Sequence, residues 1–410
     1  MLGFFTKKET QSDSKLKGKV LSCASCGLYR DCLNPRMEPV GGNGGIKILN
    51  IGEAPSAKDD SKGGQWQEQT GRLLKRTYRE LGINLWDCVN TNAVNCRPIH
   101  GPSGKNRVPT KFEVACCRKR ILQGIKSSKP RVIILLGTPA LWSLLAQRWK
   151  EDPGGMDLWR GWTIPAHDLG AWLCPVFHPN YIVRQPDMPQ VETVWKQDLA
   201  RAFNLLNVPL PDEPTMKQVQ VLESPQEICS VLEGLTGRIT FDYETTGLKP
   251  HGKEHAVKCV AVAQDGLCWA FSLESSQVVG AWKKTLLRAD LGKVAHNIRF
   301  EQSWTLNKFK VGVNPWVWDT QAAAHLLDNR PGVSGLKFQG FVQFGVAGYD
   351  TDVAPYLRSP DGEGANALNR IDKLWGTKQG RRKVLEYCGM DSLLEDRLMI
   401  KQRKELGYGE

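Results

Sequence analysis

Two α/β domains in tandem are the fold that this sequence predicts, on three observations. In the first half, apolar runs able to form strands (Ile46–Ile51, Val132–Leu136 and Trp172–Phe177) alternate with helix-like segments. Near the middle, Asn207-Val208-Pro209-Leu210-Pro211-Asp212-Glu213-Pro214 sets three prolines within six residues, which cannot continue a helix and suit a semi-rigid connector. In the second half, the β-prone Ile239 and Thr240 lead into Phe241-Asp242-Tyr243-Glu244, a strand from Ile239 to Glu244. The 410 residues suffice for two domains of ordinary size.

Taken in order, Met1 to Gly18 is polar and Lys-rich and reads as a loose basic tail. Residues 19–206 form the first domain. Its helix-like segments include Gly71–Leu81 and Lys111–Ile125 between the first two strands, and Pro175 makes the third run the weakest strand. Alternation of this kind argues for a parallel sheet covered on both faces, with ligands bound beyond the carboxyl ends of the strands. Polar signals stand at those ends: Gly52-Glu53-Ala54-Pro55-Ser56, Gly137-Thr138-Pro139 and His178-Pro179-Asn180. Residues 207–218 are the Pro-rich linker, and residues 219–410 the second domain.

In that domain Asp242 and Glu244 are two residues apart, so their carboxylates project from one strand face, where a cation would relieve their repulsion. Asn297-Ile298-Arg299-Phe300-Glu301 follows. Tyr387-Cys388-Gly389-Met390-Asp391 then lies in an expected helix, whose i, i+4 spacing puts the phenol and the carboxylate on one face.

Composition bounds the partners. The net charge of +12 favours a polyanion but does not separate DNA from RNA or from a membrane surface. No apolar run is long enough to span a bilayer, and Met1 opens no signal-peptide pattern. Of 12 cysteines, eight precede residue 180, and in a long chain without a secretion signal metal or cluster ligation is the better reading. A reducing, intracellular compartment follows. Most of the 14 tryptophans are expected in the core. Cys23-Ala24-Ser25-Cys26 is a C-x-x-C, a spacing that zinc and redox sites share.

The acidic trio, with Trp318-Asp319-Thr320-Gln321-Ala322-Ala323-Ala324-His325-Leu326-Leu327 between its second and third pieces, resembles the DEDD family of 3′→5′ exonucleases in its tyrosine-bearing branch. The resemblance covers residues 219–410 and implies a ribonuclease H-like α/β fold. It implies that Asp242, Glu244, Glu301 and Asp391 hold two Mg²⁺ or Mn²⁺ ions, that Tyr387 positions the attacking water, and that Asn297 touches substrate. Two such ions can bind both the attacking and the leaving oxygen of a phosphodiester. The family usually has Asp where this chain has Glu301, a longer side chain that must reach the metal through another rotamer.

Residues 19–206 resemble the iron–sulfur uracil-DNA glycosylases, family 4 and its relatives. The match runs through Gly52-Glu53-Ala54-Pro55, Asp60, Gly63, Trp66, Gly71-Arg72-Leu73-Leu74, Thr91-Asn92-Ala93-Val94-Asn95-Cys96-Arg97-Pro98 and His178-Pro179. It implies a three-layer α/β/α domain that extrudes a base, which costs a few kcal/mol that the pocket must offset. Trp66 would stack on the uracil where the family usually has Phe, and Asn92 would read its edge. His178 would donate to the uracil oxygen as charge develops there. Glu53 would position or activate water near the sugar. Cys23, Cys26, Cys96 and Cys117 would hold a [4Fe–4S] cluster. Zn²⁺ in a Cys₄ site is the chemical alternative. Cys32 is a further candidate ligand, and Cys117 fits the spacing from Pro109-Thr110 better than Cys116. Where the family is small after the aromatic, this chain has Gln67-Glu68-Gln69, which brings bulk and negative charge toward the pocket. The loop Ile99–Lys105 reads as flexible and basic, suited to a nucleic-acid backbone.

The combined order resembles the front part of some bacteriophage family-A DNA polymerases. It implies a two-activity DNA-processing enzyme in the cytoplasm of an infected bacterium, acting on uracil-containing strands and 3′ ends, with a separately encoded polymerase as a plausible partner. Two other readings stay open: a first domain that only binds uracil or single-stranded DNA, and a nuclease directed at RNA.

Overall fold

The computed structural model describes residues 21–100, 104–360, 363–364 and 367–409, so the expected tail over residues 1–18 lies outside the described residues. The chain divides into two compact units, one ending at Leu210 and the next beginning at Pro211. Leu210 still packs against the first unit's core, and the carbonyl of Val208 accepts the Trp172 indole N–H at 3.1 Å.

The strands of the first unit are β1 (Val40–Gly41), β2 (Ile48–Gly52), β3 (Val89–Asn92), β4 (Ile99–His100), β5 (Lys105–Asn106), β6 (Val132–Leu136), β7 (Ile164–Ala166) and β8 (Ala171–Val176). Six of them form a sheet in the order β1-β3-β2-β6-β8-β7, while β4 and β5 pair as a separate hairpin. The inner strands β3, β2, β6 and β8 run parallel, as the apolar runs predict, but β1 and β7 are antiparallel edges. The connection from β7 to β8 is residues 167–170, too short for a parallel crossover. Strand β8 accommodates Pro175 because β7 pairs only with residues 171–173. On that side the Pro175 carbonyl accepts the Gly161 N–H at 3.0 Å, so no ladder bond is lost.

Both faces of this sheet are covered, and β6 is buried at every residue. Its alternate residues Val132, Ile134 and Leu136 join Leu74 and Tyr78 of the helix Gln69–Glu80 and Trp195 and Leu199 of the helix Pro189–Phe203 in one cluster. The segment expected as a flexible loop is bracketed by the β4–β5 hairpin, whose residues 101–103 lie outside the described residues.

The second unit contains β9 (Val219–Leu222), β10 (Arg238–Thr245), β11 (Val257–Gln264), β12 (Leu267–Ser272), β13 (Gly292–Ala295) and β14 (Trp316–Asp319). They form one mixed sheet in the order β14-β13-β10-β11-β12-β9, with β10, β11 and β12 antiparallel and β13 and β14 parallel to β10. This is a ribonuclease H-like α/β arrangement. Period two decides the chemistry of β10. Ile239, Phe241 and Tyr243 pack on one side with Trp282 and Trp304, so Thr240, Asp242 and Glu244 face the other. There the long helix Lys378–Glu405 lies across the sheet, and Thr240 Oγ1 donates to the Ser392 carbonyl at 2.9 Å.

Close approach of that helix depends on a small residue. A Cβ on Gly389 would meet Val219 Cγ1 of β9 at 2.3 Å. Gly389→Ala should therefore destabilise the second unit by about 1–3 kcal/mol, the usual cost of overpacking. Denaturant unfolding followed by tryptophan fluorescence checks this; an unchanged midpoint would mean that the helix can shift freely.

Candidate functional site

The carboxyl ends of β2, β3 and β8 open onto a cleft of about 580 Å³, lined among others by Glu53, Trp66, Glu68, Asn92, His178 and Arg184. The structure thus brings together Glu53, Trp66, Asn92 and His178, which the sequence places far apart. Three glycines permit the approach. A Cβ on Gly52 would meet Asn92 Oδ1 at 2.5 Å and Trp66 Cη2 at 3.1 Å. One on Gly71 would meet the Trp66 carbonyl oxygen at 2.1 Å, and one on Gly137 the His178 Cβ at 3.0 Å.

Trp66 has φ 62°, a left-handed conformation that costs a bulky residue about 1–3 kcal/mol and marks a constrained site. Asp59 helps to hold the loop, accepting the Gln67 N–H at 2.9 Å while capping its own helix through Ser56. The Trp66 and His178 rings lie 6.1 Å apart at 30°.

His178 caps the helix Pro179–Val183, and its Nδ1 accepts the Asn180 N–H at 3.2 Å. In the neutral ring that bond leaves the proton on Nε2, which makes Nε2 a donor. Burial, aided by the Arg184 charge, pulls the imidazole pKa down to about 4. Burial pushes the Glu53 carboxyl up, and Arg184 offsets part of that rise. Glu68 stands at the start of the helix Gln69–Glu80 but makes no capping bond, so its carboxylate is left to the cleft. Asp60 plays a structural part instead: its carboxylate accepts the N–H groups of Leu33 and Asn34 at 3.2 and 2.8 Å.

Behind the cleft, Cys26, Cys96 and Cys117 pack in one small cluster with Leu28, Val94 and Val114. Burial raises the Cys117 thiol to about 12, and the neighbouring Cys26, Cys96 and Cys23 add to the rise. Cys116 also lies near Cys26 and Cys23, with Glu113 beside it. Cys32 donates to the Leu28 and Arg97 carbonyls at 3.1 and 3.6 Å. Cys26, Cys96 and Cys117 share this cluster with Cys23 near them, a donor set whose chemistry fits a group that binds thiolates.

In the second unit, Asp242 and Glu244 of β10 meet Glu301 of the helix Ile298–Trp304 and Asp391 of the long helix. Burial and then mutual repulsion push the carboxyls of Asp242, Glu244 and Glu301 well above the usual range. Glu301 is 2% exposed, and its Oε2 has no hydrogen-bond partner. This donor set fits divalent cations, which would take the place of the missing positive charge.

Several participants had no motif to announce them. Lys337 Nζ and the Tyr349 hydroxyl both donate to Asp391 Oδ1. The Lys337 ammonium also stands 4.0 and 4.2 Å from the ring centroids of Tyr349 and Tyr387, which stack 6.0 Å apart. Glu395, one helical turn beyond Asp391, is a further buried acid whose Oε2 is unpartnered. Asn297 caps its helix with φ 75° and makes no side-chain cap bond. Asp319 is structural, accepting four backbone N–H groups at 2.9 to 3.1 Å, from Asn297, Ile298, Gln321 and Ala322.

A cleft with a neutral histidine in one unit, and a buried carboxylate cluster beside a tyrosine in the other, suit the processing of nucleic acid. The description "Uracil DNA glycosylase superfamily" matches residues 39–200, and "3'-5' exonuclease" matches residues 216–357. The type-4 uracil-DNA glycosylase of Pyrobaculum aerophilum is 32% identical over 196 residues, 46% of this chain and 92% of the relative. That of Saccharolobus solfataricus is 29% identical, covering 42% of this chain and 78% of the relative. A DNA polymerase of Bacillus phage SP01 is 23% identical over 80% of this chain and 37% of its own length. Among solved structures, Brucella melitensis NrnC covers 46% of this chain and 82% of its own at 18% identity, with a TM-score of 0.32 that adds nothing to the sheet order itself. The chain belongs to the uracil-DNA glycosylase superfamily through its first unit and carries a 3′→5′ exonuclease domain in its second.

The low histidine pKa sets a pH expectation. His178 stays neutral above about pH 5 and charges only as pH falls through about 4. Uracil excision should therefore lack a His178 inflection near the ordinary value of 6.5. A pH–rate profile with an inflection there that vanishes in His178→Gln would refute the neutral-imidazole assignment.

Proposed function

We propose that this chain removes uracil from DNA at the first unit's cleft and trims 3′ ends at the second unit's carboxylate cluster, in the replication or repair of a bacteriophage genome. The observation that carries the reading is the convergence of Glu53, Trp66, Asn92 and His178 on one cleft. Trp66 offers a ring face for the extruded base, and the Asn92 amide offers a donor and an acceptor to its edge. His178 Nε2–H donates to the base oxygen as negative charge gathers there, without the ring having to gain a proton. Glu53, half-buried at the end of β2, holds and polarises the water near the sugar.

In the second unit Asp242, Glu244, Glu301 and Asp391 would hold two divalent ions, Mg²⁺ or Mn²⁺. When bound, these would stabilise charge on the attacking and leaving oxygens of the phosphodiester. Tyr387, buried and pushed up by burial and by Asp391, keeps its proton and can orient the water. Lys337 and Tyr349 fix Asp391 in place. Cys23, Cys26, Cys96 and Cys117 would hold a [4Fe–4S] cluster that ties the segment before β1 to the sheet. DNA is the substrate class, and a separately encoded polymerase is a partner in keeping with the phage polymerase likeness.

The deciding assay incubates 5′-labelled single-stranded DNA carrying one uracil with and without EDTA, then treats it with hot alkali. Alkali-dependent cleavage at the uracil that survives EDTA establishes excision, and an EDTA-sensitive ladder establishes the exonuclease. A ladder alone would favour a first unit that only reads uracil. His178→Ala should slow excision by about two orders of magnitude, the scale of one lost charge-stabilising donor. Asp242→Ala should abolish the ladder and leave excision intact; joint loss would argue against two separable sites.

A further inference from the structure

We propose that Cys388 makes the exonuclease centre a site for thiophilic divalent cations, with Zn²⁺ or Cd²⁺ held by Asp242, Glu244 and the Cys388 thiolate and displacing the ions that support digestion. The proposal rests on the exonuclease reading of this site and deepens it. One donor atom from each of the three side chains lies within 4.8 Å of the other two, a closeness that no other group of three such side chains reaches among the described residues. Bonds of about 2.0–2.3 Å to one zinc ion span up to roughly 4.6 Å, so small side-chain rotations close the set.

The thiol borders Asp242, and Cys259 lies beside it as well. Cys388 Sγ lies 3.3 Å from the Asp242 main-chain oxygen and 3.7 Å from Asp242 Oδ2. A second observation points to a cation here: the neighbouring Glu301 is 2% exposed with Oε2 unpartnered. The nearby ammonium of Lys337 is engaged with Asp391 and Tyr349 instead.

Carboxylates alone suit Mg²⁺ and Mn²⁺, whereas a soft thiolate shifts preference toward Zn²⁺. On binding, the Cys388 S–H bond breaks, a sulfur–metal bond forms and one proton leaves to solvent; no electron moves. The centre that needs hard ions to work would thereby carry its own soft-metal brake.

The test uses the full chain as wild type, Cys388→Ala and Cys388→Ser. A ¹¹³Cd resonance reports sulfur ligation directly, and cadmium taken up by the first unit's cysteines gives a separate all-sulfur signal that these variants leave in place. Zinc inhibition is read in parallel as the half-inhibitory Zn²⁺ concentration for Mn²⁺-supported digestion. We expect a mixed sulfur–oxygen cadmium signal that is lost in both variants. The half-inhibitory Zn²⁺ concentration should rise by at least about tenfold, the scale on which one metal-site partner acts. Serine can keep the bond to the Asp242 carbonyl but ligates soft metals poorly, so a serine variant that behaves like wild type overturns the proposal. Equal zinc sensitivity in all three chains also overturns it. If a variant does not digest, persistence of the cadmium signal overturns it and loss supports it. A wild-type chain that never digests with Mn²⁺ refutes the exonuclease reading, and the cadmium signal still decides the ligation.

Discussion

Acids buried without matching cations are the constraint on which the second unit depends. Asp242, Glu244, Glu301, Asp391 and Glu395 converge where water is scarce, and among the described residues Lys337 is the cation that pairs with one of them. Ionising a carboxyl in such a place costs several kcal/mol unless positive charge meets it. The fold tolerates the cluster because β10 alternates: one side packs Phe241 and Tyr243 against Trp282, and that burial supports a strand whose other side is unfavourable by itself. A centre built in this way demands either protons or divalent ions. The repulsion that opposes the cluster is what suits it to divalent ions.

In the first unit desolvation again disfavours charge, lowering the His178 pKa where it raises those of the buried acids, and the Asn180 N–H fixes which nitrogen carries the proton. The close approach of His178, Trp66 and Asn92 depends on residues with no side chain. Gly52, Gly71 and Gly137 each occupy a place where a Cβ would collide with Asn92, Trp66 or His178. The left-handed backbone of Trp66 is the visible strain of that arrangement, held by Asp59 from the preceding helix.

What was legible in the sequence was whatever repeats at short range. The alternation in β10, the i, i+4 pair Tyr387 and Asp391, and the apolar runs of β2, β6 and β8 all declare themselves through spacing. Strand β3 did not, because Val89-Asn90-Thr91-Asn92 is mostly polar; its Asn90 is satisfied inside the core by Asn50 and by backbone carbonyls. The edges β1 and β7 are too short to show periodicity. Lys337 and Tyr349 were invisible for a different reason: they reach Asp391 across 54 and 42 residues of chain, and no local pattern encodes that meeting. Asp60 and Asp319 carry the converse lesson. Both fall in motif segments, yet their oxygens are taken up by backbone N–H groups, so a place in a motif can reflect support of a site as readily as chemistry within it.

The departure at Glu68 can be weighed in the same terms. As the residue that opens the helix Gln69–Glu80, it sits at the helix end whose dipole favours negative charge. A carboxylate there repels a phosphate but not a neutral base. Arg184, whose charge acts on both His178 and Glu53, lines the same cleft and offers the opposite sign. In that cleft a phosphate would lie toward Arg184 and away from Glu68, so Glu68 bears on the path of a nucleic-acid backbone rather than on an uncharged base.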